Sequence, residues 1–342
     1  MSIQLTLVIP GCLQGIPGWQ QHTDLLPHAP NLTRLLSRAA ALPNLPRQST
    51  RLLCALCDIH VPTDEDVPLA ALSLLHENQD PLQAYWLRAD PVLFQADRDC
   101  VWLQSLEQAP LSVEAADALV QTCAPVMQHW GYDLIAPDPS RWYVRVPEVP
   151  QLQTHTLADA CGLRADTVMP TGRDAKVWRQ LLNELQMLLH QHPVNEQREL
   201  EGLPAVNSLW FWGGGVCPRT VNLPWQHIVS NEPYLAGMAK LGGSTYHALP
   251  TELSALWPLQ GRVLVLLPEA KSTNPGQNYD AWMDYWRSLE ACWFEPLQAA
   301  LKTQQITDVT LYPLSGSVYR MTPKQRFQFW KRPQPLATFL TA

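Results

Sequence analysis

The chain lacks the features that would place it in a membrane or on nucleic acid. None of its apolar runs approaches the roughly 20 residues that a membrane-spanning helix needs, and only 16% of its 342 residues are charged. The net charge is −7, whereas an unspecific hold on nucleic acid or acidic lipid needs clustered Lys and Arg. The start, MSIQLTLVIPG, has no basic n-region and no long apolar h-region, which argues against a signal peptide. We therefore expect a cytoplasmic protein that binds neither membranes nor nucleic acid.

Basic residues gather only near the C-terminus. The cluster combines cations with aromatic rings: Lys324, Arg326, Phe327, Phe329, Trp330, Lys331 and Arg332. Such a mixture resembles a stacking platform for single strands. An amphipathic final strand with a solvated basic face is the simpler interpretation.

The eight cysteines are scattered and do not form a disulfide framework, so reduced thiols are expected. Cys54 and Cys57 have the spacing of a redox pair or of half a zinc site. No second CxxC exists, and the pair lies in the apolar run LLCALC, which favours core packing.

Strand-like and helix-like segments alternate along the chain, which predicts an α/β fold with a mainly parallel sheet covered by helices. The predicted strands are 4–9, 97–106, 141–146, 208–212, 262–267 and 308–311. The predicted helices are 31–41, 69–75, 113–130 (with Ser112 as N-cap), 174–190 and 278–303. Segment 51–59 fits a strand or a helix. Trp282, Trp286 and Trp293 share one face of the last helix, which favours core packing over an exposed partner site.

The most informative block is His192–Gly215, HPVNEQRELEGLPAVNSLWFWGGG. The guanidinium of Arg198 suits a carboxylate or phosphate, and the amides of Asn195 and Asn207 can orient it. The alternative is a buried polar knot that joins the inserted domain to the core. Three glycines, Gly213, Gly214 and Gly215, follow a strand and form either an anion cradle or a tight turn.

Other polar residues are less specific. Arg88 either points into the same cleft as Arg198 or pairs with Asp90. His190 and His192 could bind a metal with Asp58 and His60, although two such histidines near a helix end more often cap carbonyls or face solvent. No G-x-S-x-G segment exists, so no nucleophile elbow is readable.

The block resembles the archaeal-type cofactor-independent phosphoglycerate mutases of the alkaline-phosphatase superfamily. Their H-x-x-N-x-x-R, G-x-x-x-A-N and I-W-x-W-G-x-G segments correspond to 192–198, 202–207 and 209–215, although here one residue separates Ala205 from Asn207. Segment 169–175 and the helix after it also fit, whereas segments 29–33, 72–75, 80–81, 87–90 and 237–238 fit less closely. A still closer resemblance is to bacterial proteins, some labelled regulatory, that share L-R-A-D-P-V and H-P-V-N…L-W-F-W-G-G-G.

The residues that the resemblance would require for catalysis are missing. These mutases use two divalent metals and a phosphoryl-carrying serine. The metal-binding Asp-Gly after the first strand is replaced by Ile9-Pro-Gly-Cys12, and the serine position falls on Val67. The late D-H-x-T motif is replaced by Leu311-Tyr-Pro-Leu, and all ten histidines lie at or before His247.

The resemblance thus implies an alkaline-phosphatase-like core, residues 1–92 and 208–342, with a smaller α+β domain, 93–207, inserted between its halves. We expect a degenerate mutase-like protein without catalytic residues, cofactor or metal site. It would bind a small anionic metabolite or a protein partner in a regulatory or scaffolding role. The proposed ligand-binding residues are Asn195, Arg198, Asn207, Arg88, Gly213, Gly214 and Gly215. The alternative is a phosphoryl-transfer enzyme or hydrolase with a rebuilt site.

Overall fold

The computed structural model describes residues 2–15, 26–43, 46–81, 83–268, 279–326 and 330–341. Its strands are β1 (Ile3–Val8), β2 (Ala40–Pro43), β3 (Tyr85–Asp97), β4 (Cys100–Ser105), β5 (Asp133–Asp138), β6 (Arg141–Val146), β7 (Ser208–Val216), β8 (His227–Val229), β9 (Thr245–His247), β10 (Gly261–Leu266), β11 (Ile306–Tyr312) and β12 (Ser317–Met321). Its helices are α1 (Pro30–Arg38), α2 (Ser49–Leu56), α3 (Leu69–His76), α4 (Val113–His129), α5 (Leu157–Ala160), α6 (Ala165–Val168), α7 (Ala175–His190), α8 (Pro193–Leu200), α9 (Pro233–Gly242), α10 (Tyr279–Leu289), α11 (Glu295–Thr303) and α12 (Pro323–Arg326). Within these ranges no helix is long and apolar enough to cross a bilayer.

The chain forms two compact units. The first comprises residues 1–59, 221–235 and 239–342, and the second comprises 60–220 and 236–238. The domain boundaries predicted from the sequence, 92/93 and 207/208, lie elsewhere. The difference arises from β3, which runs through residue 92 and pairs with both β6 and β7, so its hydrogen bonds hold 85–92 and 208–216 in the second unit.

The first unit is built on a seven-stranded sheet in the order β2-β12-β11-β1-β10-β8-β9. The strands from β11 to β9 are mutually parallel, and β12 is antiparallel to both β11 and β2. Val263–Leu266 of β10 are all buried, as expected for a parallel strand covered on both faces. The predicted α/β class with a mainly parallel sheet is therefore confirmed.

Helices α1, α10 and α11 supply much of the core of this unit. The three predicted core tryptophans, Trp282, Trp286 and Trp293, are 3%, 2% and 5% exposed, so core packing is confirmed. The last long helix is interrupted by a π-helical turn, Glu290–Phe294, between α10 and α11. The carboxylate of Glu290 accepts hydrogen bonds from the backbone N–H groups of Asn31 (2.5 Å) and Leu32 (3.3 Å) and so caps α1.

The second unit is an antiparallel sheet with helices. Its strand order is β4-β3-β6-β5, and β7 also pairs with β3. Helices α4 and α7 contribute to one core with β3, β6 and β7, in which Trp142 and Trp178 are fully buried. Ser112 caps α4 by accepting from the Ala115 N–H, as the sequence predicts. This unit positions all of the predicted ligand-binding residues.

Several predicted elements differ in extent. The helix predicted over 31–41 ends at Arg38, because residues 40–43 pair with β12. Segment 51–59 is helical through Leu56, which decides between its two interpretations. The C-terminal basic segment is not a strand throughout, since 323–326 is a short helix; Phe327 and Phe329 lie outside the described residues.

Candidate functional site

Helix α8 carries two of the predicted ligand-binding residues. Pro193 occupies its first turn, and the Nδ1 atom of His192 caps it by accepting from the Val194 N–H at 3.2 Å. The His192 Nε2 atom lies 3.0 Å from the hydroxyl of Thr122, which itself donates to the Ala118 carbonyl. Both ring nitrogens of His192 are therefore engaged, and His192 caps the N–H groups at the start of α8 rather than carbonyls at the end of α7.

The Asn195 side chain is buried and bonded to backbone on both sides. Its amide nitrogen donates to the carbonyls of Leu189 and Val206, both at 2.8 Å, and its oxygen accepts from the Val206 N–H at 2.7 Å. The amide thus ties the end of α7 to the segment that leads into β7. The contacts form a buried polar knot, but one inside the second unit rather than between an inserted domain and the core as predicted.

The Arg198 guanidinium is likewise bonded to backbone carbonyls. It donates to Pro204 and Ala109, both at 2.7 Å, and more weakly to Pro110 at 3.4 Å. Burial lowers the pKa of Arg198 from its ordinary value, with the nearby Glu201 opposing that change. Only 5% of the residue is exposed. Arg198 therefore joins the end of α8 to the loop before α4.

The Asn207 side chain forms sheet-like hydrogen bonds with the backbone of β3. Its side-chain oxygen accepts from the Phe94 N–H at 2.7 Å, and its amide nitrogen donates to the Phe94 carbonyl at 3.0 Å. Its own N–H donates to the Val92 carbonyl. The side chain thereby continues the β3–β7 ladder to the residue before the start of β7.

Arg88 pairs with Asp90 two residues along β3. Its Nε and Nη2 atoms donate to one Asp90 oxygen at 3.0 and 2.7 Å, and the Trp212 indole donates to the other at 2.8 Å. The guanidinium carbon lies 5.1 Å from the ring centroids of both Tyr143 and Trp212. Burial raises the pKa of Asp90 against the opposing effect of Arg88. Internal pairing is thus the arrangement that the structure shows.

The three glycines are needed where the chain packs closely. Gly213 has a φ of 65°, in the left-handed region that favours glycine. A Cβ on Gly214 would lie 2.3 Å from the Tyr85 hydroxyl, and one on Gly215 would lie 2.6 Å from Pro68. Close packing accounts for the glycines, but they lie inside strand β7 and not in the tight turn that the sequence predicted.

The structure distributes the predicted binding residues rather than gathering them. Among the described residues, no hydrogen bond joins any two of Arg88, Asn195, Arg198 and Asn207. Each side chain instead joins backbone or a neighbour on its own strand. A ligand-binding role for them stays a prediction, and the contacts that they make are those of a scaffold.

The positions that the resemblance assigns to the mutase serine and metal ligands hold buried, apolar residues. Val67 is 5% exposed, and Ile9 and Cys12, which follow β1, are fully buried. Burial raises the pKa of Cys12 far above its ordinary range, so its sulfur stays a thiol rather than a metal-binding thiolate. These residues do not fit the two-metal centre of the mutases. In the described part of the chain no group of three or more His, Cys, Asp or Glu side chains is arranged to hold a metal ion.

A bridge beside Val67 was not predicted from the sequence. Thr154 donates its N–H (3.0 Å) and its hydroxyl to the Asp66 carboxylate, and its oxygen accepts from the Gly213 N–H at 3.1 Å. Because Thr154 and Asp66 are 88 residues apart, no local pattern in the sequence indicates the contact. It holds the loop before α3 to the bend of β7.

The CxxC cysteines are buried thiols. Burial raises the pKa of both Cys54 and Cys57 to about 12, with neighbouring charges as smaller influences. Thiols of this kind are unreactive at neutral pH. The core-packing interpretation fits these surroundings.

Comparison with known proteins identifies relatives over a short stretch. The 2,3-bisphosphoglycerate-independent phosphoglycerate mutase of Methanosarcina mazei is 36% identical over 61 residues, 18% of this chain and 15% of that protein. Its Methanosarcina acetivorans counterpart is 38% identical over 61 residues, with the same shares. A probable mutase of Geobacter sulfurreducens is 39% identical over 51 residues, 15% of this chain and 13% of that protein. The chain is similar to cofactor-independent phosphoglycerate mutases.

The similarity spans only about 15% of the length of these curated relatives. No family model matches the chain. Among solved structures, the cofactor-independent phosphoglycerate mutase of Thermoplasma acidophilum aligns with a TM-score of 0.41 and 17% identity, over 94% of this chain and 90% of that one. The PH0037 protein of Pyrococcus horikoshii aligns with a TM-score of 0.49 and 14% identity, over 94% and 87%.

Proposed function

We propose that this chain is a mutase-like protein that does not carry out the mutase reaction and acts by binding. Its ligand is a small anionic metabolite or a protein partner, and its role is regulatory or scaffolding. The observation that supports the proposal is the buried hydrocarbon side chain of Val67, at the position where the resemblance places the mutase serine. Valine has no atom that can accept a phosphoryl group.

The first strand supports the same conclusion. A divalent metal that neutralises phosphate oxygens needs carboxylate or imidazole ligands. Ile9 and Cys12 are buried, and the Cys12 thiol is held protonated by burial. The polar groups that remain from the family pattern, in Asn195 and Arg198, bind the backbone of their own unit. They preserve a scaffold rather than a reaction.

The test is an assay of 3-phosphoglycerate conversion with Mn²⁺, Mg²⁺ or Zn²⁺, with the Methanosarcina mazei enzyme measured in parallel. We expect no turnover above the protein-free rate. The variant Val67→Ser should also be inactive, because a serine alone supplies no metal ligand. Robust metal-dependent turnover by the unmodified chain would refute the proposal.

The second candidate function is that of a hydrolase with a rebuilt site. The bridge between Thr154 and Asp66 favours it, because a hydroxyl bonded to a carboxylate is the arrangement of a nucleophile and its base. The Thr154 hydroxyl would attack the ester carbonyl while Asp66 takes its proton, and the alcohol would leave with that proton as the acyl–Thr154 ester forms. Water, deprotonated by Asp66, would then hydrolyse the acyl–Thr154 ester, which releases the acid and restores the hydroxyl. Glu65 and Asp66 make the surroundings negative, so a neutral ester fits better than a phosphate.

This alternative predicts hydrolysis of p-nitrophenyl acetate that disappears in Thr154→Val and survives in Thr156→Val, a change at the nearby cap of α5. The binding proposal predicts the same background rate in all three proteins. Hydrolysis that depends on Thr154 alone would therefore decide for the second candidate.

A further inference from the structure

Two histidines meet at the edge of the seven-stranded sheet. His227 begins β8 and His247 ends β9, the outermost strand on that side. The Nδ1 atom of His227 lies 3.1 Å from the Nε2 atom of His247, and the ring centroids are 5.2 Å apart. The two facing nitrogens are thus close enough to share one proton in a hydrogen bond.

The register of the strands places the two rings on one face. His227 pairs with Thr245 and Val229 pairs with His247, so the histidines are diagonal neighbours in a parallel ladder. Both are half-buried, which restrains the rings while leaving access to solvent. In the sheet register His227 pairs with Val263 of β10, which pairs with Leu5 of β1. Leu5 lies three residues before the end of β1. The pair is therefore separate from the position of the mutase metals.

The polar side chains beside the pair are engaged elsewhere. The Gln226 oxygen accepts from the Arg262 N–H at 2.7 Å, and the Tyr246 hydroxyl donates to the Ser230 carbonyl at 2.6 Å. The hydrogen bond that joins the two imidazoles is between His227 Nδ1 and His247 Nε2. Burial, and secondarily the charge of His227, lowers the pKa of His247, which favours the neutral form that binds metals.

We propose that His227 and His247 form a two-imidazole binding site for a borderline divalent transition-metal ion such as Zn²⁺, with water completing the coordination. Imidazole is a preferred ligand of Zn²⁺, Cu²⁺ and Ni²⁺. Zn–N bonds of about 2.0–2.1 Å at a tetrahedral angle require nitrogens roughly 3.3–3.4 Å apart. The pair needs to open by only about 0.2–0.3 Å from its hydrogen-bonded distance, as the metal replaces the shared proton.

The ion would join the edge strand β9 to β8. Because water supplies the remaining ligands, the ion should exchange readily and should not be required for folding. Binding to the folded chain raises its stability by mass action, so thermal unfolding reports occupancy. This site is independent of the proposed loss of mutase activity.

The experiment measures Zn²⁺ binding to the full chain by calorimetry and by the shift in Tm. The variants are His227→Gln and His247→Gln, and the matched control is His190→Gln, a change at an exposed histidine at the end of α7. Circular dichroism checks that each variant is folded. We expect one saturable equivalent in the wild type and control, and affinity about tenfold or more weaker in each pair variant.

A measurement on the unmodified chain keeps the test independent of variant folding. Zn²⁺ should shift the side-chain ¹⁵N resonances of His227 Nδ1 and His247 Nε2 and leave those of His190 unchanged. Absence of saturable binding, or equal affinity in the pair variants and the wild type, would overturn the proposal. The second outcome would assign the ion to other ligands, such as the cysteines.

Discussion

Replacement of Asn195 distinguishes a scaffold from a ligand site. In Asn195→Ala the side chain no longer bonds the carbonyls of Leu189 and Val206 or the Val206 N–H. The Leu189 carbonyl keeps its bond from the His192 N–H. The Val206 N–H and C=O, in a fully buried residue, lose the partner that Asn195 supplies.

The expected cost follows from these two groups. A buried polar group left without a partner costs about 1–3 kcal/mol. Loss of a partner for both the N–H and the C=O of Val206 should lower the free energy of unfolding by about 2–4 kcal/mol, if the surrounding backbone relaxes partly. Asn195→Asp should cost at least as much at pH 7, because a carboxylate would face the two carbonyl oxygens that the amide nitrogen now bonds.

Urea unfolding followed by circular dichroism and by tryptophan fluorescence measures the effect. Because the chain has two compact units, unfolding can show more than one transition, and each transition of the variant is compared with that of the wild type. Gln197→Ala is the matched control, an exposed position on the same helix where a change within about 0.5 kcal/mol is expected. If Asn195→Ala were as stable as the control, the polar-knot interpretation would be wrong and a ligand role would gain support.

Three further predictions rest on single contacts. Burial lowers the pKa of His192 in the folded protein. The stability that neutral His192 contributes is therefore complete above the unfolded pKa near 6.5 and is lost as pH falls through the lowered folded pKa. The free energies of unfolding at pH 7.5 and 5.5 should differ less in His192→Asn than in the wild type, because asparagine can cap the helix but does not titrate. Glu290→Gln should lower the free energy of unfolding by about 1 kcal/mol, because an amide replaces a carboxylate at the start of α1; equal stability in urea would count against that cap. Gly214→Ala should cost about 1–3 kcal/mol, because the new methyl meets the Tyr85 ring, whereas an unchanged Tm would show that this contact relaxes freely.

Much of the local structure is predictable from short-range patterns. The cap of α4 at Ser112 and the strand Arg141–Val146 match the sequence, because neighbouring residues decide both. The burial of the tryptophans on α10 follows from helical spacing alone. The capping of α1 by Glu290 does not, since its donor and acceptor are more than 250 residues apart.

The candidate site shows the same division. The pairing of Arg88 with Asp90 was one of two alternatives, because residues two apart on a strand share a face. The sequence does not decide between these alternatives, because the Asp90 carboxylate is also held by the Trp212 indole, which is 122 residues later in the sequence. The bridge from Thr154 to Asp66 and the meeting of His227 with His247 have no local signal at all.

The sequence by itself determined the α/β class, the block that resembles the mutases, and the residue types at the positions that this resemblance assigns to the mutase chemistry, Val67 and Ile9–Cys12. These are properties of residue type and local order. Only the tertiary structure decided that Asn195 and Arg198 bind the backbone of their own unit. A buried amide or guanidinium forms hydrogen bonds with whichever groups the fold places next to it. Every residue has a backbone carbonyl, so the sequence does not indicate which distant carbonyl will be the partner.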